Sequence, residues 1–466
     1  MKRLLVLAAL ALMVSGSAFA QVTTPPNQCD ITNAPAATLL LPYFNVDFAN
    51  ADRTTAVDTI FTITNVSDIP AIAHVTVWSD WSFPVLDFNL YLTGYDVVGV
   101  SLYDILNRGT IPATTVSGSS TSVSPRGIRS RSTNPNIAAS ASTQCLNLGG
   151  NGVIPSTLLA QIRSGLTGGG YFNCAQIGSV HSNAVGYVTA DVANTCSQSL
   201  PTNQAYFSSE ILFDNQLIGD YQRLNPSAAT GNFAGGNPLV HIKAVPGGGV
   251  AGSQPIVTLP NTFYDRYTPD SNRQIDRRQP LPALFAGRYI GAGSGFATQY
   301  LIWREGTTGS DVPPRAGGDS CAAYANNSSM GYTEIVRFDE HENPFTQTTN
   351  CPVSPCVTPT FGLPETSAQA ITGTTVSPVF PPNTSTTDGG GWTYFNLDNP
   401  NVVAAYSNPV RASQNWVVIE MTAEGRYGVD FDAAYLGNGC TPSLGVTSNC
   451  RIGVDAGCVA PGIGPQ

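Results

Sequence analysis

Apolar residues in this chain recur with a period of two. In Leu86-Asp87-Phe88-Asn89-Leu90-Tyr91-Leu92 the even positions are apolar, and Asp87, Asn89 and Tyr91 point the other way. Val57, Phe61 and Ile63 alternate in the same manner with Asp58, Thr62 and Thr64. Successive side chains of a strand point to opposite faces, so such a run buries one side and needs partners in a sheet. Asn65-Val66-Ser67-Asp68-Ile69-Pro70 then supplies turn chemistry, and 72–78 resumes a strand. Further runs of this kind lie at 184–192, 239–245, 299–304, 332–338, 393–397 and 416–422. The expectation is an all-β, mostly antiparallel fold that opens with a β-sandwich. A short helix is expected over 155–165, with Leu158, Leu159 and Ile162 on one face, and a bent or helical exit over 104–108.

Composition divides the chain. Residues 113–144 contain 14 Ser or Thr in 32 positions, with Gly118, Pro125, Gly127 and Pro135 among them. That is a linker or long loop, with too little apolar surface to offset its own ordering entropy. A Pro/Thr-rich insertion runs over about 350–391. The expected order is a signal peptide over 1–20, an N-terminal β-sandwich module over 21–112, the linker, and a larger β-rich domain over 145–466.

The start pairs Lys2-Arg3 with a short apolar run and ends Ala18-Phe19-Ala20, the pattern of a secretory signal cleaved before Gln21. Without Lys2 and Arg3 the 21 basic residues become 19 against 31 acidic ones, a formal charge of −12. Such a field disfavours nucleic acid and anionic lipid as partners, leaving a glycan or another surface protein. No later segment approaches the ~20 apolar residues of a transmembrane helix. All ten cysteines follow the signal: Cys29, Cys145, Cys174, Cys196, Cys321, Cys351, Cys356, Cys440, Cys450 and Cys458. An even number in an oxidising compartment points to disulfides, with connectivity left open. The localisation expected is periplasmic or extracellular.

Candidate chemistry is sparse. There is no G-x-S-x-G, no H-E-x-x-H and no paired C-x-x-C, and Lys243 is the only lysine beyond the signal. Asp339-Glu340-His341-Glu342 is the densest acidic cluster. In an extended strand Asp339 and His341 share one face and Glu340 and Glu342 the other, an arrangement open to cation binding on one face, to general acid work or to solvent. Trp78-Ser79-Asp80-Trp81 is the candidate ligand surface, because exported sandwiches stack sugars on indoles and hold hydroxyls with a carboxylate. No cofactor is expected except calcium, for which Asp265, Asp270, Asp276, Asp430 and Asp432 supply oxygens without an EF-hand pattern.

Leu40-Leu41-Pro42-Tyr43-Phe44, Thr64-Asn65-Val66-Ser67-Asp68-Ile69-Pro70, His74-Val75-Thr76-Val77-Trp78 and Leu92-Thr93-Gly94-Tyr95-Asp96 together resemble a group of predicted secreted bacterial proteins. Gly425-Arg426-Tyr427 and Leu436-Gly437-Asn438-Gly439-Cys440 are similar to its C-terminal part. The group has no established activity, so the resemblance implies export and a β-rich fold and assigns no residue. The 65–70 turn is similar to hairpins of Ig-like surface modules, an analogy of fold only. Two functions follow as expectations. One is an exported, non-enzymatic protein with a structural or ligand-binding role. The other is a secreted hydrolase of glycan or polymer using two carboxylates among Asp339, Glu340 and Glu342. A hydrolase needs its acids facing each other ~5 to 10 Å apart across a cleft.

Overall fold

A computed structural model of the chain describes residues 31–112, 152–194, 196, 199–201, 206, 210–226, 232–244, 262–264, 276, 278–290, 295–305, 330–345, 362–371, 389–397, 414–423 and 427–436. The fold is all-β and antiparallel, with two short helices. In chain order the first elements are β1 (Thr38–Val46), β2 (Asp58–Asn65), β3 (Ala71–Ser79), β4 (Pro84–Leu92), β5 (Val97–Ser101), α1 (Leu102–Arg108) and α2 (Ser156–Leu166). There follow β6 (Ala184–Ala193), β7 (Leu217–Ile218), β8 (Asp220–Asn225), β9 (Asn232–Pro238) and β10 (Val240–Ile242). The second half supplies β11 (Leu284–Ile290), β12 (Phe296–Arg304), β13 (Met330–Gly331), β14 (Glu334–Asp339), β15 (Pro344–Phe345), β16 (Gly362–Leu363), β17 (Thr366–Ile371), β18 (Gly390–Asn396), β19 (Asn415–Ala423), β20 (Tyr427–Asp432) and β21 (Ala434–Tyr435).

The local signals act as expected. The Asn65 side chain accepts from the Ser67 N–H and donates to the Ile69 and Thr93 carbonyls, which closes the turn between β2 and β3. Ser101 caps α1 by accepting from the Asp104 N–H, and Gly109, at φ 68°, ends it in the left-handed region that glycine enters without cost. Pro155 precedes α2, whose Leu159 and Ile162 are buried.

Four main sheets form. The first has the order β10-β1-β6-β3-β4 and the second β5-β2-β8-β9, with β7 beside β2. Leu39, Leu41, Val75, Val77, Val188 and Val192 of the first meet Phe61, Ile63, Val100 and Tyr221 of the second in one core, which α1 and α2 close with Leu102, Ile105 and Ile162. The third sheet, β17-β12-β19-β20, and the fourth, β15-β14-β18-β11-β21, share a second core. β13 and β16 pair separately.

The second core also takes Leu40, Trp78, Val185, Tyr187 and Val240 from the opposite face of the first sheet. That sheet is therefore covered on both sides: every residue of β3 and β6 is buried. The alternation in β3, β4 and β6 pointed to one covered face; the second face carries His74, Thr76, Asn89, Thr189 and Asp191, polar yet buried. β6 lies between β1 and β3, so the first sheet draws strands from both sides of 113–144. Residues 1–20, 113–144 and most of 350–391 lie outside the described residues. Among the described residues no helix is long and apolar enough to cross a membrane.

Candidate functional site

The acidic cluster forms the tight turn between β14 and β15. Asp339 accepts from the His341 and Asn343 N–H groups at 2.8 Å each and from the Asn343 amide at 2.9 Å. Desolvation raises its carboxyl, but these donors outweigh it and hold Asp339 below the usual carboxylate range. Glu340 pairs with Arg288 at 2.9 Å on the exposed surface. Glu342 stands at φ 63°, exposed like His341. Asp339 and Glu340 thus each have their own local partner, and Glu342 stands in solvent.

The tryptophan cluster is internal. Trp78 is 1 % and Trp81 5 % exposed, so neither presents a ring face on which a sugar could stack. Trp78 stacks on Tyr187 with centroids 5.6 Å apart and donates to Thr189 at 2.9 Å; Trp81 donates to Ser179. Asp80 is buried and accepts from the Ser179 N–H, with His181 3.0 Å away. Ser82, at φ 61° in the same tight turn, donates to Glu365 and accepts from Tyr187. Here a loop of the first sheet is pinned to the strands packed on it.

The calcium candidates divide three ways. Asp265 and Asp270 lie outside the described residues. Asp276 pairs with Arg278 at 2.8 Å, and both are buried. Asp430 and Asp432 belong to a buried seam between the second and third sheets. Among the described residues no group of three His, Cys, Asp or Glu is placed to hold a metal. Cys174 and Cys196 carry disulfide bonds, and the other eight cysteines lie outside the described residues.

The seam is the site that the sequence did not announce. Arg223 of β8 reaches Asp430 with Nε at 2.9 Å and Nη2 at 3.0 Å, and Glu420 of β19 with Nη2 at 2.9 Å. Burial opposes the guanidinium charge, yet the two carboxylates outweigh it and raise Arg223 above its ordinary value. Burial pushes Asp430 up in spite of Arg223. Asp432, two residues along the same face of β20, accepts from the Trp416 indole at 2.9 Å and from the Asn237 amide at 3.5 Å, both on Oδ1. Burial, opposed by the Trp416 N–H and reinforced by Asp430, pushes its carboxyl up to about 6.

Asp432 lines a cleft of about 260 Å³ between the ends of β10, β19 and β21. Ile31, Leu239 and Val240 form an aliphatic wall, and Trp416 and Tyr435 an aromatic one. His241 also lines it, but both ring nitrogens meet backbone, Nδ1 at the Ala34 carbonyl and Nε2 at Gly219. Burial holds His241 below its ordinary value, so it contributes a neutral ring at pH 7. Among the described residues Oδ2 of Asp432 has no hydrogen-bond partner and is the unengaged acceptor of the cleft. An alternating β20 could have drawn attention to Asp430 and Asp432 as a pair, but not to the cleft, whose walls come from residues up to 404 positions apart. Compared with protein-family models, curated proteins and solved structures, the chain matches none.

Proposed function

We propose that this is an exported, non-catalytic β-protein that binds a small ligand in the cleft beside Asp432. One observation carries the reading: the carboxylates open to acid-base work are engaged as turn, ion-pair or seam residues, while the cleft leaves a carboxylate oxygen unengaged. A concave, mostly apolar opening with one polar group is the usual form of a small-molecule site. A hydrolase needs a facing pair, whereas among the described residues Asp339 is held by its own turn and Glu340 by Arg288.

Two measurements test this. With Asp339→Asn, Glu340→Gln and Glu342→Gln combined, a panel of chromogenic glycosides and esters should give the same background rate as the parent chain. A parent rate above buffer that falls a hundredfold or more in the triple variant overturns the non-catalytic reading. Export is tested on the cell: the intact mass of the secreted or periplasmic protein should begin at Gln21, with no cysteine open to alkylation. Several alkylated cysteines in freshly exported protein would exclude an oxidised, exported form.

A further inference from the structure

We propose that the cleft beside Asp432 takes a small organic cation, an ammonium group on a short apolar or aromatic body, with the unengaged carboxylate oxygen as its counter-charge. This rests on the binding reading above and names the ligand's chemistry.

The first support is charge. Asp432 lines the cleft, and in the seam beside it Asp430 adds negative charge while Arg223 is shared between Asp430 and Glu420. Three carboxylates against one guanidinium leave a formal −2 when all are ionised. Among the described residues no lysine or arginine lines the cleft; Lys243 is near enough to act on the His241 ring, which is committed to backbone on both sides. Tyr221, behind the seam, is kept neutral by burial and then by Asp430 and Asp432. An anionic ligand would meet uncompensated negative charge. A cation would meet its missing partner.

The second support is the wall. Trp416 is itself buried and spends its indole N–H on Asp432, so the accessible ring of the wall is that of Tyr435, 6.5 Å from Trp416 at 39°. Aromatic faces attract ammonium groups electrostatically, more strongly where water is excluded. The aliphatic residues opposite suit a hydrocarbon body. A bare divalent ion is a poor match, because it needs several oxygens and the cleft offers one carboxylate. The volume is below the ~300 to 1,000 Å³ of sites for drug-sized ligands, so the guest is small.

The test uses the full exported chain with phenethylammonium chloride and, as an uncharged analogue of nearly the same shape, 2-phenylethanol, titrated by calorimetry at pH 7.5 and 5.0. The amine should bind at pH 7.5, at least tenfold more tightly than the alcohol. Its affinity should fall roughly tenfold at pH 5.0, because a carboxyl that titrates near 6 is then mostly protonated. Asp432→Asn should lose tenfold or more in amine affinity. Its thermal midpoint at pH 7.5 should equal or exceed the parent's, since a partly buried ionised group is replaced by a neutral amide that still accepts from Trp416. The pH comparison on the parent chain is independent of how the variant folds. Equal affinity for amine and alcohol, unchanged at pH 5.0, overturns the cation assignment and leaves a binding cleft of other chemistry. Binding of the alcohol that weakens above pH 6 also overturns it, in favour of a protonated carboxyl acting as donor. Failure of both probes to bind overturns the assignment together with the binding reading.

Discussion

Replacing Arg278 by Leu should lower the stability of the protein by about 3 to 5 kcal/mol, the usual cost of removing one partner from a buried ion pair. Arg278 is fully buried. It pairs with Asp276 at 2.8 Å, approaches Asp191 at 3.5 Å, donates to Thr38, and lies 5.4 Å from the Tyr264 ring centroid. Asp191 in turn accepts from Tyr206 at 2.6 Å and from Tyr264 at 2.7 Å, and burial, followed by the Asp191 charge, keeps both phenols protonated far above their ordinary range. Without the guanidinium two carboxylates remain in a site closed to water. Urea unfolding followed by tryptophan fluorescence reads the loss. Combining Arg278→Leu with Asp191→Asn and Asp276→Asn should recover a large part of it, because the charges left unpaired are then gone. A loss under 1 kcal/mol in the single variant would mean that the network is hydrated or collapses without cost.

Arg223→Leu should cost a similar ~3 to 5 kcal/mol at pH 7.5, with a deficit that depends on pH. The cause lies in the seam, where burial already raises Asp430 in the presence of the guanidinium and holds Asp432 at about 6. Removing Arg223 takes away the charge that lowers Asp430. In the folded variant these carboxyls then keep protons at pH 5 that the unfolded chain has largely released. The folded state binds more protons, so its stability rises as pH falls. The raised groups contribute fully below the unfolded value near 4, and that contribution is lost as pH climbs through their raised folded values, about 6 for Asp432. The deficit relative to the parent should therefore shrink between pH 7.5 and 5.0. Equal deficits at the two pH values would show that Arg223 acts through packing, including its approach to the Tyr43 ring at 5.9 Å, rather than through charge.

Both arginines are invisible as functional elements in the sequence, and the reason is distance along the chain. Arg223 and Asp430 are 207 residues apart, and Arg278 and Thr38 are 240. A strand's own residues announce that it is a strand, because alternation, turn chemistry and capping act within a few positions. They do not announce which strand lies beside it.

What the sequence determined by itself was local. The two-residue period at 86–92 becomes β4, Asn65 closes its turn through its own side chain, and Pro155 opens the one helix expected to stand alone. Tertiary structure alone decided the rest. It set β6 between β1 and β3 and covered the first sheet on both faces, so that Trp78 and Asp80, attractive as a surface in sequence, became interior. It turned Asp276 and Asp430 from candidate calcium ligands into partners of buried arginines, and left Asp432 beside an opening. The physical reason is that a carboxylate's role depends on its desolvation and on which charge stands a few ångströms away. Both are fixed by the packing of sheets whose strands come from distant parts of the chain.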